Sequence, residues 1–188
     1  MKKSLGPKAI LGPTPVMVVA TFNEDGTANA MTAVWGGICC TQPPCLAVSL
    51  RKETLTYANI LQRRAFTVSL PSEDSLKEVD YLGLVSGREV DKLAAAKLSA
   101  FDSEVVDAPY VTEFPVVFEC KLAHVLELGL HTQFVGEIID VKAERGVLDH
   151  EGLLDTKRLR PLVFLPDRQA YYGIGSYLGQ GFSSGAAL

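Results

Sequence analysis

The sequence contains no Cys-x-x-Cys pair, although it has four cysteines, Cys39, Cys40, Cys45 and Cys120. That argues against a zinc ribbon or a thioredoxin-type dithiol, and no metal site is expected. Nor is there a basic surplus: 18 lysines and arginines stand against 22 aspartates and glutamates, a net charge of −4. Nucleic-acid binders carry a basic footprint, so that class of partner is set aside. No stretch approaches the roughly 18 consecutive apolar residues of a membrane-spanning helix, so no membrane role is expected. Glycine-rich phosphate loops of the Walker or Rossmann type are absent, as are internal repeats and low-complexity linkers. The opening residues, MKKSLGPKAILGPTPV, begin with lysines, but Gly6, Pro7, Gly12, Pro13 and Pro15 interrupt any apolar signal core. The expectation is a cytoplasmic protein with mostly reduced thiols.

What is present is a chain of 188 residues, 47% apolar and 21% charged. Those values suit one globular domain over 1–188, with an N-terminal arm (1–14) and a glycine-serine-rich tail (176–188) at its periphery. The apolar share is high for a small soluble monomer, and a homodimer interface would account for it.

VMVVATF (16–22) is a β-branched strand, NEDG (23–26) is a hairpin turn, and TANAMTAVW (27–35) returns antiparallel. Alternation places Ala28, Ala30, Thr32 and Val34 on one face, and Asn29, Met31, Ala33 and Trp35 on the other. GGICCT (36–41) reads as a loop. LAVSLR (46–51) is a third strand, TLTYANILQRR (54–64) a helix capped by Thr54, and AFTVSL (65–70) another strand. Helices are read within 71–87 and 89–98, and 99–115 reads as irregular. VVFECKLAHVLEL (116–128) and LHTQFVGEIIDVKAE (130–144) predict a long hairpin about Gly129, and 162–175 holds a further strand. About seven strands, mostly antiparallel, with no βαβ alternation, point to a mainly β closed antiparallel barrel with a few helical insertions.

Two stretches carry candidate chemistry. In SLRKETLTY (49–57) a strand gives way to a helix start, with its free N–H groups and positive dipole end. Arg51 and Lys52 add two cations, and Thr54 and Thr56 add hydroxyls, a donor set suited to a phosphomonoester dianion. The alternative is an ordinary solvated basic strand end. In NAMTAVWGG (29–37), backbone groups of Met31–Ala33 and the Asn29 and Thr32 side chains suit a polar heterocycle edge. Trp35 suits a flat ring, and Gly36 and Gly37 permit close approach; a buried core aromatic is the alternative for Trp35. Small buried apolar residues are the reading for the cysteines, with a redox or metal role as the alternative.

NAMTAVWGG, PP, AVSLRKETLTYANI, AFTVSLP, GLHTQFVGEIIDV and YYGIG, in this order, resemble the flavin reductase-like family of FMN-binding split barrels, in particular its flavoredoxin-type members. The resemblance covers roughly residues 8–182. It implies a split antiparallel β-barrel of Greek-key type and a homodimer. It also implies an FMN held by its phosphate at Arg51, Lys52, Thr54 and Thr56, with the ring along Asn29, Met31, Thr32, Ala33 and Trp35 and with Ser49 and Leu50 close by. His131 would approach the flavin or a nicotinamide, as the catalytic candidate. The implied activity is electron transfer from NADH or NADPH through FMN to free flavin or another small acceptor. The alternative is an FMN carrier between proteins, without a nicotinamide site of its own. Where many family members have a Ser-Phe-x-Ser type stretch, this chain has Trp35-Gly36-Gly37, which favours a retained FMN.

Overall fold

The run Val16–Ala20 is continuously apolar because both of its faces are buried. Met17 and Val19 point into one hydrophobic cluster, and Val16, Val18 and Ala20 into another. This strand is central to the computed structural model, which describes residues 1–184; the last four residues of the tail read as peripheral lie outside the described residues. The elements in order are β1 (Thr14–Pro15), β2 (Met17–Phe22), β3 (Ala28–Ala33), β4 (Gly36–Thr41), β5 (Pro44–Arg51), α1 (Leu55–Arg63) and β6 (Ala65–Leu70). Then come α2 (Leu76–Leu84), α3 (Lys92–Ala96), β7 (Ala100–Asp102), β8 (Pro109–Val111), β9 (Val116–Leu128), β10 (His131–Ala143), α4 (Thr156–Leu159), β11 (Val163–Leu165) and β12 (Ala170–Tyr172).

Seven strands form one antiparallel sheet in the order β3-β2-β6-β9-β10-β5-β4. Its two ends meet near Trp35, whose carbonyl accepts from the Ser49 N–H at 2.8 Å. The sheet thereby curls around an interior of Met17, Val19, Ala33, Leu46, Val48, Leu50, Phe66, Val68, Cys120 and Phe134. Helix α1 packs on this cluster through Ile60 and Tyr57, with the Tyr57 ring edge-on to Phe134 at 5.4 Å. A second layer sits outside β2 and β3, where Val79 and Leu82 of α2 and Leu93 of α3 cover Val18, Ala20 and Ala30. The two-faced alternation of β3 read from sequence is thus observed: Met31 and Ala33 face the interior, and Ala28, Ala30 and Val34 face the helices.

The mainly β, split-barrel architecture and the long 116–144 hairpin match expectation, and three local readings need correction. Residues 36–41 are not a loop but β4, paired with β5. As an edge strand with two glycines and an irregular register it buries little, so no alternation betrays it. Residues 99–115 contain the small hairpin β7–β8. Its strands are three residues each, too short for a period-2 signal. The cysteines are not uniformly buried: Cys45 and Cys120 are, but Cys39 on the edge strand is exposed.

Gly136 lies at a register shift between β9 and β10, under the Phe66 ring. A Cβ there would come within 2.6 Å of Phe66 Cζ and 2.8 Å of Cys120 Cβ. Phe66 is fully buried and has no room to retreat. Gly136→Val should therefore destabilise the fold by about 1–3 kcal/mol through overpacking. The check is a lower urea midpoint at unchanged m-value; an unchanged midpoint would mean that the interior yields.

Candidate functional site

Strand β5 ends in Arg51 because the chain turns there into α1. Thr54 makes the turn: its N–H and its hydroxyl both donate to the Arg51 carbonyl, at 3.2 and 2.8 Å, and the hydroxyl accepts from Tyr57 N–H at 3.3 Å. The N-cap expected from sequence is present. The cap takes the Tyr57 N–H, whereas the Leu55 and Thr56 N–H groups have no partner within the helix and remain available to an acceptor.

Across from this helix start lies β3, which pairs with β2 on one side only. Asn29 and Thr56 join the two elements. The Asn29 amide donates to the Thr56 hydroxyl at 2.8 Å, and the two residues are 5% and 1% exposed. Segment 83–87 closes the third side. A Cβ on Gly87 would lie 2.2 Å from Asn29 Oδ1 and 3.2 Å from Leu55 Cδ2, so only glycine lets the backbone pass so close. Together these elements enclose a cavity of about 220 Å³ lined by Asn29, Met31, Thr54, Thr56, Gly87 and Lys92, among others. A neighbouring cavity of about 390 Å³ shares Asn29, Gly87 and Lys92.

Four of the residues picked out from sequence (Asn29, Met31, Thr54 and Thr56) therefore meet around one cavity. Ala33 and Leu50 are core residues, with Leu50 2% exposed, so only their backbones are free to act. The Thr32 side chain is turned towards α2, and its hydroxyl donates to the Val79 carbonyl at 2.5 Å; this donor is committed to packing. Trp35 is half-buried beside Ser49. The two cations differ. Lys52 is ion-paired with Glu127 of β9, which also accepts from the Thr132 hydroxyl at 3.1 Å. The hydrogen bond and charge of Glu127 hold the Lys52 pKa above its usual value, and Lys52 holds that of Glu127 below. Arg51 has only a long 3.8 Å contact with exposed Glu53. His131 stands directly opposite Arg51 in the β5–β10 register, which puts it beside the cationic end of the site.

Sequence reasoning missed Gly87 and Lys92. Gly87 lies at the end of the helix read within 71–87 and Lys92 inside the helix read within 89–98, and neither position carries a local signal for a ligand. Only the folding of 82–93 over β3 brings them to the cavity.

Replacing Thr56 with valine removes the acceptor and strands a buried amide, for an expected loss of about 1–3 kcal/mol. In a cycle with Asn29→Ala, the double variant should lose clearly less than the two single losses added together. Additive losses would mean that the bond contributes nothing.

The Flavin reductase like domain family matches residues 11–172. Among solved structures, flavoredoxin of Desulfovibrio vulgaris (Miyazaki F) is 48% identical, with a TM-score of 0.94, over 98% of this chain and all of that one. Flavoredoxin from Methanosarcina acetivorans is 30% identical, with a TM-score of 0.91, over 100% of this chain and 99% of that one. An uncharacterized protein of Aquifex aeolicus is 30% identical over 82% of this chain and 83% of its own length. Two further curated relatives are spanned over 57% and 64% of their lengths. With the family matched across most of its length and the split barrel shared almost residue for residue with solved members, this chain belongs to the flavin reductase-like family.

Proposed function

We propose that this protein is a flavoredoxin-type electron-transfer flavoprotein that holds FMN in the cleft between β3, the start of α1 and segment 83–92. The observation that carries the reading is the cavity where Thr54, Thr56 and Asn29 meet beside the open edge of β3. Its donor set suits FMN: the Thr56 hydroxyl and helix N–H groups for a phosphate, and an unpaired strand edge for a flat heterocycle. The tight fit of Gly87 on Asn29 leaves the cavity shaped by backbone, as a ring held at close range requires. A similar solved structure, an FMN-binding protein from Thermus thermophilus that is 26% identical with a TM-score of 0.80, supports the same cofactor.

In this reading Arg51, the Thr56 hydroxyl and the Leu55 and Thr56 N–H groups bind the phosphate at the turn that Thr54 shapes, the backbone of Met31–Ala33 orients the ring edge, and Trp35, Ser49 and the Leu50 backbone wall the site. Lys52 contributes less, since Glu127 already neutralises it. FMN, when bound, supplies the one- and two-electron chemistry. His131 stands beside Arg51 as a proton-holding group at the mouth. A homodimer is part of the proposal: Leu126, Leu128 and Leu130 around the turn of the long hairpin are exposed apolar side chains that a second copy would cover.

The description of the family as flavin reductase-like favours a second reading, in which NADH or NADPH is the direct donor. One anaerobic experiment separates the two. The carrier retains its flavin absorption with either nicotinamide and loses it with dithionite, whereas the reductase bleaches within seconds of nicotinamide addition. A colourless protein that binds no FMN overturns both.

Arg51→Ala should weaken FMN binding by about 1.5–3 kcal/mol through loss of charge-assisted bonds, and Lys52→Ala by less. A fluorescence titration in which the order is reversed would mean that the Lys52–Glu127 pair opens to receive the phosphate. For His131→Asn, flavin reduction should slow while FMN affinity stays within about twofold, since a proton-holding group acts on the transfer step. Loss of affinity at an unchanged rate would assign His131 to the phosphate instead.

A further inference from the structure

Strand β4 turns into β5 through Gln42 and Pro43 alone, with Thr41 paired to Pro44. One step further from the turn, Cys40 stands directly opposite Cys45. Directly opposed residues of an antiparallel pair share a face, with Cα atoms, and Cβ atoms, about 4.5–5.5 Å apart. A disulfide spans Cα separations of about 4.4–6.8 Å and brings the Cβ atoms to about 3.8 Å. Closing the pair therefore asks for an approach of about 1 Å. Strand β4 can supply it, because it is the edge of the sheet and its register is already irregular between Ile38 and Cys40.

The surroundings decide which thiol meets water. Cys40 is half-buried, Cys39 is exposed, and Cys45 and Cys120 are buried. Burial pushes the Cys45 thiol above its usual pKa, and the neighbouring Cys40 and Cys39 thiols and Glu137 add to the rise. Cys120, pushed up to about 12 by burial with a further contribution from Cys45, is an interior residue. Cys39 falls at the register irregularity and has no partner across the ladder. Among the described residues no group of three or more His, Cys, Asp or Glu side chains is placed to hold a metal ion, so the opposed thiols are not metal ligands.

We propose that Cys40 and Cys45 form a redox-active thiol pair that closes reversibly to a cross-strand disulfide by exchange with a low-molecular-weight disulfide. The proposal is independent of the FMN reading, since neither residue lines the cleft. The accessible Cys40 thiolate attacks one sulfur of a small disulfide, RSSR, forming a mixed disulfide and releasing RS⁻. That thiolate takes the proton of Cys45, whose sulfur then attacks the Cys40 sulfur and releases the second RS⁻, which is protonated from solvent by the proton that Cys40 gave up. In sum two protein thiols and RSSR become one protein disulfide and two RSH: two electrons leave the pair and enter RSSR. Excess RSH reverses the same steps. The loop enclosed is short and the bond lies on a sheet edge, the setting of a labile disulfide and not of a structural staple.

The test uses the whole protein with Cys39→Ser, which removes the exposed thiol and leaves Cys40, Cys45 and Cys120. After exposure to oxidised glutathione, free thiols are alkylated in denaturant and counted by intact mass. The expected result is loss of two alkylatable thiols with no glutathione attached, at a rate independent of protein concentration, and full recovery with dithiothreitol. Adding Cys45→Ser should trap one glutathione on Cys40, and adding Cys40→Ser should leave the remaining thiols unreacted. A glutathione adduct without loss of a second thiol in the Cys39→Ser protein would make Cys40 a merely accessible thiol. No reaction at all would mean that the edge strand holds the sulfurs apart, and covalent dimers would mean exchange between molecules; each of the three overturns the proposal. Should the variant with buried Cys45 replaced not fold, the Cys39→Ser result decides alone. A second measurement compares the glutathione ratio at half-closure in the folded protein and in urea. Folding should favour closure at least about tenfold, through the proximity the ladder imposes, and equal ratios overturn the claim that the fold sets the pair.

Discussion

The hydrogen bond from Asn29 to Thr56 ties a strand with one open edge to the start of a helix, and the cleft depends on it. Without it β3 would have only β2 to hold it laterally, and the first turn of α1 would lose its tie to that strand, although Ile60 and Asn59 still anchor the helix body. Both partners are buried, so the bond is made away from competing water and leaves a costly orphan if broken. Gly87 presses on the same asparagine from the other side, so three segments distant in sequence converge on one side chain.

The rest of the fold keeps that junction in place. Interior residues from β2, β5, β6, β9 and β10 pack around Phe66 and Phe134, while α2 and α3 seal the outer face of β2 and β3. Since β3 is covered on both faces, its only open side is its hydrogen-bonding edge. That is the side from which a planar heterocycle can be read by backbone groups.

Charge is distributed unevenly around the cleft, and the distribution divides the labour. Lys52, at the helix start, is neutralised by Glu127 across the hairpin. Arg51 remains largely free at the surface. Lys92 is buried with no acidic partner among the described residues. A cation kept from water and left without a counter-ion costs stability, and such a cost is commonly met at sites that bind a ligand.

Much of the architecture was legible in the sequence. VMVVATF and NEDG set the first hairpin, the alternation in NAMTAVW assigned its two faces correctly, and Thr54 announced the start of α1. Long period-2 runs and turn chemistry are local signals, so they survive without knowledge of the fold. Strand β4 was not legible, because an edge strand rich in glycine buries too little to show a pattern. The β7–β8 hairpin is too short to show one. Of the site, the sequence alone determined Thr54, Thr56, Asn29 and Met31 as candidates, because their residue types match a phosphate and a ring edge. Only the tertiary structure decided that Thr32 faces a helix, that Lys52 is spent on Glu127, and that Gly87 and Lys92 belong to the cleft. The physical reason is that which polar groups stay unpaired depends on what folds against them, and that is fixed by long-range packing.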